Sequence, residues 1–145
     1  MAEQQEYRTP YDILGDQGVK KLASAFYDVM DELPDAAHIR AMHAENLDSI
    51  KRMLAAYLTQ WFGGPPVYQA IKGTVCLTDP HAPYAIGPKE RDQWLTCMYT
   101  ALDRIGASQE LKDMVREPFY RIAETVRNQD DSKPKVRDPN IIAVG

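Results

Sequence analysis

The run Trp61-Phe62-Gly63-Gly64-Pro65-Pro66 constrains this chain more than any other stretch. Glycine adopts the left-handed backbone that closes a helix, and two prolines without N–H groups bar any continuation. Ahead of that stop, Leu47, Ile50, Met53, Leu54, Tyr57, Leu58 and Trp61 recur at three- and four-residue steps. They form one apolar stripe of a helix that Asn46 can cap. The Gly-Gly-Pro-Pro run is not a phosphate loop, because the prolines remove the donors a phosphate needs.

The same period governs most of the remaining sequence. A helix opening after Gly15-Asp16, with Asp16 as its cap, carries Val19, Leu22, Ala23, Phe26, Val29, Met30 and Leu33. Pro34 ends it before a short turn from Asp35 to Met42. Pro88 suits the first turn of a helix faced by Trp94, Leu95, Met98, Ala101, Leu102 and Ile105, with Gly106 past its end. Ser108 can cap a last helix bearing Leu111, Met114, Val115, Phe119, Ile122 and Val126, bent by the internal Pro118. Val67 to Ile71 can make a turn or two, after which Gly73, Pro80, Pro83, Gly87 and Pro88 break any longer regularity. No stretch alternates with period two, and no internal repeat is present. The spacing predicts an all-α protein, one domain over residues 1–127 followed by a polar, mobile tail over residues 128–145.

Several function classes drop out on composition. A chain of 145 residues suits one domain with a real core. A net charge of −4 speaks against nucleic-acid binding, which needs a basic stripe. No apolar run approaches the ~20 residues that span a bilayer, so no membrane partner is expected. The start, Met1-Ala2-Glu3-Gln4-Gln5-Glu6, is the opposite of a secretory signal, and a cytoplasmic location is expected. Cys76 and Cys97 are expected as reduced thiols, Cys97 as a small buried hydrophobe.

Three histidines remain for chemistry, His38, His43 and His81, and none has a zinc-ligand spacing. There is no nucleophile elbow and no haem-attaching Cys-x-x-Cys-His. His81 lies in Asp79-Pro80-His81-Ala82-Pro83-Tyr84, with Val75-Cys76-Leu77 before and Tyr84-Ala85-Ile86 after. It is either an ordinary loop histidine or a neutral imidazole held in apolar surroundings, which can ligate a haem iron. Tyr27 and Trp94 read as core aromatics or as buried donors that need an acceptor, and a bound diatomic is one such acceptor. His38 reads as a surface residue without a role.

Three ordered motifs resemble the signature of group II truncated haemoglobins. They are Gly63-Gly64-Pro65-Pro66-Val67-Tyr68, His81-Ala82-Pro83-Tyr84, and Glu90-Arg91-Asp92-Gln93-Trp94-Leu95-Thr96-Cys97-Met98. Phe26-Tyr27-Asp28 and Ile39-Arg40-Ala41-Met42-His43 agree, and the resemblance covers about residues 10 to 127. It implies a shortened globin, two helix pairs crossed over a non-covalent haem b, with the proximal helix reduced to a loop and a turn. It implies His81 as the iron ligand, Tyr27 and Trp94 as distal donors, and His43 at the haem edge. Ile50 takes the distal gate position and Leu54 packs over the iron, with Tyr68, Leu77, Met98 and Phe119 as further walls. Pro80 departs from the basic residue common before the proximal histidine, and Met53 from a distal arginine. Lys51, Arg52 and Lys72 are the remaining candidates to meet the haem carboxylates.

The implied activity is redox chemistry with dioxygen, nitric oxide, CO or peroxide rather than oxygen transport. With 145 residues and no flavin or nicotinamide domain, sustained turnover requires an external reductase or reductant. Storage or sensing of a ligand without turnover is the alternative, and a generic helical interaction domain is the fallback without haem. A monomer or weak homodimer is expected.

Overall fold

The computed structural model describes residues 8–73 and 86–128, and every described element is helical. His81, Leu77, Cys76, Pro80, Pro83 and Tyr84 lie outside the described residues, as does the tail beyond Asn128.

Helix α1 spans Pro10–Glu32. It starts earlier than the apolar stripe alone suggests, because Thr9 and Asp12 cap each other. Asp12 N–H donates to Thr9 Oγ1 at 3.0 Å, and Thr9 N–H donates to Asp12 Oδ2 at 2.9 Å. Gly15, at φ 66° and ψ 176°, kinks the helix there. The expected opening at Asp16 is therefore the start of the long second segment, with one further turn ahead of it. Glycine suits that kink because a side chain at positive φ is strained. Val19, Leu22, Ala23, Phe26, Val29 and Met30 are all buried, as their spacing predicts.

A 3-10 turn over Pro34–Ala36 and the single-turn α2, Ala37–Arg40, lead into the loop that carries His43. Helix α3 spans Asp48–Trp61. Its N-cap position is Leu47, not Asn46; the Asn46 side chain instead accepts from Asp48 N–H at 2.9 Å, one residue further out. At the other end Gly64 N–H reaches back to the Thr59 carbonyl at 2.8 Å, with Gly63 at φ 100°. Gly64 has a second reason to be glycine. A Cβ there would stand 2.8 Å from the Tyr11 ring and 2.7 Å from the Thr59 carbonyl oxygen. The Gly-Gly stop is thus also the seam where the start of α1 docks, fixed by Tyr11 N–H donating to the Phe62 carbonyl at 3.1 Å.

Helix α4 spans Val67–Lys72, and Gly73 closes it in the left-handed conformation. Helix α5 spans Pro88–Arg104 with proline in its first turn, and α6 spans Gln109–Val126 with the Ser108 hydroxyl accepting from Leu111 N–H. Pro118 is accommodated inside α6. Helix α1 packs on both α3 and α5, α5 on α6, and α3 on α4. The packing fits the two crossed helix pairs expected, α1 with α3 and α5 with α6, and α1 also contacts both helices of the second pair.

Asn128, from which the sequence reads as a tail, makes two bonds to the strap before α5. Its Oδ1 accepts from Ile86 N–H at 3.0 Å, and its own N–H donates to the Ile86 carbonyl at 2.8 Å.

Candidate functional site

Tyr27 projects from the last third of α1 and is 5% exposed. Burial pushes its phenol well above the ordinary tyrosine range, so the hydroxyl stays protonated and remains a donor at any physiological pH. Its ring meets the His43 ring edge-to-face, with centroids 5.5 Å apart. On the other side, Phe26 lies 4.9 Å from Tyr27 and 5.2 Å from Trp94 on α5. Two helices and one loop thus converge where the sequence placed its candidate donors.

His43 has a defined tautomer. Its Nδ1 lies 2.8 Å from the Ile39 carbonyl. A carbonyl only accepts, so Nδ1 carries a proton and donates to it, which leaves Nε2 as the acceptor when the ring is neutral. Arg40 holds the surrounding loop. Its guanidinium donates to the Ala44 and Glu45 carbonyls, each at 2.9 Å, and to Asp31 Oδ1 at 2.9 Å. One planar fork therefore ties the His43 loop to the end of α1.

Helix α3 presents an apolar face of its own. Ile50, Leu54 and Tyr57 are half-buried and pack against the core at helical spacing. Tyr57 also meets Tyr68 edge-to-face at 5.2 Å, and Tyr68 is 8% exposed. Met98 and Phe119 are completely buried, Phe119 against Trp61, Phe62 and Trp94. His38 is exposed, in keeping with its reading as a surface residue. Of the cations expected near carboxylates, Lys51 pairs with Asp28 at 2.7 Å, while Arg52 and Lys72 are exposed.

This surface suits a flat, apolar cofactor with a ligand on one side. Half-buried aliphatic and aromatic side chains line it, and protonated donors stand at its rim. Among the described residues no cluster of histidine, cysteine or carboxylate side chains could hold a metal by itself.

The bacterial-like globin family model matches residues 9–128. The chain belongs to that family. Within it the chain is a group II truncated haemoglobin, and haem b is held without covalent attachment. The group II 2-on-2 haemoglobin from the plant pathogen Agrobacterium tumefaciens is 36% identical, with a TM-score of 0.80 over 88% of this chain and 99% of that one. The truncated oxygen-avid haemoglobin from Bacillus subtilis is 27% identical, with a TM-score of 0.77 over 83% of this chain and 100% of that one. A group 2 truncated haemoglobin, YjbI, from Bacillus subtilis strain 168 is 29% identical over 124 residues, which is 86% of this chain and 89% of the relative. Like its family, this globin binds small gas ligands such as dioxygen. None of the described helices is long and apolar enough to cross a membrane.

Proposed function

We propose that this globin retains dioxygen tightly and uses it, or peroxide and nitric oxide, in redox chemistry instead of transporting it. The observation that carries the reading is the buried, protonated Tyr27, whose ring lies between those of His43 and Phe26, with Phe26 in turn against Trp94. His81 is the axial ligand in this reading, and Ile50, Leu54, Tyr57, Tyr68 and Leu77 form the apolar wall. Met98 and Phe119 back that wall from the core. The haem supplies ligand binding and one-electron chemistry; everything else comes from the chain.

Tyr27 O–H and Trp94 Nε1–H donate to the ligand. A hydrogen bond to a charged or charge-separated partner contributes about 1.5–3 kcal/mol, and ~1.4 kcal/mol is tenfold in rate. Two such bonds slow release by roughly two to four orders of magnitude, which is too retentive for a carrier. That the Bacillus subtilis relative is oxygen-avid supports this arithmetic. His43 stays at the haem edge, because its Nδ1–H is engaged by Ile39 and its loop by Arg40. Its Nε2 then accepts from Tyr27 or from a water.

In this reading the protein works in the cytoplasm as a monomer or weak homodimer. An external reductase supplies electrons, and CO binds as a competing ligand. His81→Ala tests the foundation: haem retention, read as the Soret-to-protein absorbance ratio, is expected to collapse. A fully loaded variant with an unchanged ferrous spectrum would remove His81 from the iron. Stopped-flow displacement of oxygen by CO tests retention, and release as fast as from an unbonded pocket would overturn it.

A further inference from the structure

Behind the pocket the structure holds an unbroken series of ring contacts. Phe26 meets Trp94 at 5.2 Å, Trp94 meets Phe119 at 5.8 Å, and Phe119 meets Trp61 at 5.4 Å with planes tilted by only 31°. Phe62 braces the far end, 5.3 Å from Trp61 and 5.8 Å from Phe119. The interior of the series is dry: Phe26, Phe62 and Phe119 are each no more than 2% exposed. Its two ends are not. Trp94 is half-buried at the pocket, and Trp61 is half-buried at the end of α3, beside the exposed Gly63 and Pro65.

Indole is among the most easily oxidised side chains, whereas a phenylalanine ring is too hard to oxidise to hold a charge. It can still couple two indoles that touch it on either side. We propose that Trp94, Phe119 and Trp61 form a one-electron relay through which peroxide reduced in the pocket oxidises a small phenol at the Trp61 edge of the molecule. The proposal rests on the peroxide branch of the function given above. In each half-cycle one electron passes from the Trp61 indole, across Phe119, to Trp94 and on to the pocket. A phenol then returns one electron to Trp61, releasing its proton to water and leaving as a phenoxyl radical. Two half-cycles consume one hydrogen peroxide and two phenols, whose two electrons and two protons go to the peroxide, and yield two waters and two phenoxyl radicals. The gain from such a route is reach: a substrate too bulky for the Tyr27 pocket is oxidised at the surface.

The test uses haem-loaded protein, equimolar hydrogen peroxide and a nitroxide radical scavenger, with adducts located by peptide mass spectrometry. Wild type is expected to carry the adduct on Trp61. Trp61→Phe should lose it and oxidise guaiacol severalfold more slowly, while its oxygen release rate stays at the wild-type value. Trp61→Tyr fills similar space with a ring that can be oxidised, so it should recover both the adduct and the guaiacol rate. Equal behaviour of the Phe and Tyr variants would reduce Trp61 to a packing residue and overturn the relay. Adducts confined to Tyr27 or Trp94 in wild type would also overturn it, while leaving peroxide chemistry at the haem intact. Absence of both adducts and peroxide consumption would overturn the peroxide branch, and the relay with it.

Discussion

The rim around His43 and the aromatic seam around Phe119 both border the pocket, yet they are held by opposite means. The rim is a loop fixed by directed bonds, with the Arg40 fork on two carbonyls and the His43 Nδ1–H on a third. The seam is held by ring packing among Phe26, Trp61, Phe62, Trp94 and Phe119. Packing is non-directional and adds stability in proportion to the apolar area removed from water. Directed bonds add less net stability but set where a donor or acceptor points. The difference assigns the two regions separate duties: the seam keeps the two helix layers together, and the rim decides what a ligand meets. Tyr27 belongs to both, with its ring in the packed layer and its hydroxyl at the rim.

The largest effect should come from breaking the seam. Phe119 is fully buried, so Phe119→Ala removes a large apolar surface and leaves a cavity among three rings, costing about 3–5 kcal/mol. Urea unfolding of the haem-loaded protein, followed by far-UV circular dichroism, measures this. A loss below ~1 kcal/mol would mean that the seam collapses around the gap and that the layers are held elsewhere.

Tyr27→Phe separates the two duties within one residue. It keeps the ring that packs against Phe26 and removes only the hydroxyl. Oxygen release is expected to speed up by roughly tenfold or more. The unfolding midpoint should move far less than in Phe119→Ala. Trp94→Phe should act in the same direction, and the two should couple because both donors address one ligand. An unchanged release rate in both single variants would show that the pocket is apolar where the ligand sits.

Much of this division was legible before the fold was known, and the parts that were not share a cause. Helical period alone identified the buried faces of α1, α5 and α6, whereas the α3 stripe is half-buried apart from Leu58. Pro88, Ser108 and Pro118 stand where their backbone chemistry put them. The misses are local. Thr9 was overlooked because its cap partner Asp12 precedes the Gly15 kink, outside the long stripe. Asn46 was placed one residue too close, since an Asn can bond either of two nearby N–H groups and the sequence does not say which. Tyr27 and Trp94 could be singled out as donors by residue type, but His43 owed its place to resemblance alone. No periodicity reports where a loop imidazole turns. Arg40 went unnoticed for the same reason: the carbonyls it binds have no pattern in the sequence.

Arg40→Ala sharpens the comparison from the rim side. It deletes bonds to Ala44 and Glu45, and the Asp31 pair contributes little because Asp31 is well exposed. The expected loss is about 1–2 kcal/mol, and amide exchange should quicken selectively over residues 41–46. The seam should be untouched, with exchange in the middle of α5 and α6 as in wild type. Quickening spread evenly over all helices would instead make Arg40 part of the global fold.

The smallest effect concerns a polar contact outside both regions, where α5 meets the end of α6. Arg91 donates to Glu124 Oε2 at 2.8 Å and Arg127 to Oε1 at 2.6 Å, and these bonds hold the Glu124 carboxyl below its ordinary range. A carboxyl depressed in the folded state favours folding above its unfolded pKa of ~4.3. That contribution disappears as the pH falls through the depressed folded value, where the acid is protonated in both states. Glu124→Gln should therefore be slightly less stable than wild type at pH ~7, and the gap should close on acidification below ~4.3. Urea midpoints of both proteins along a pH series read it directly. Because the group faces water, raising the ionic strength should also shrink the gap. A gap that persists unchanged at acid pH and high salt would mean that Glu124 acts through its shape and hydrogen-bonding capacity rather than its charge. The carboxamide would then be failing at the same two-arginine geometry that the carboxylate satisfies.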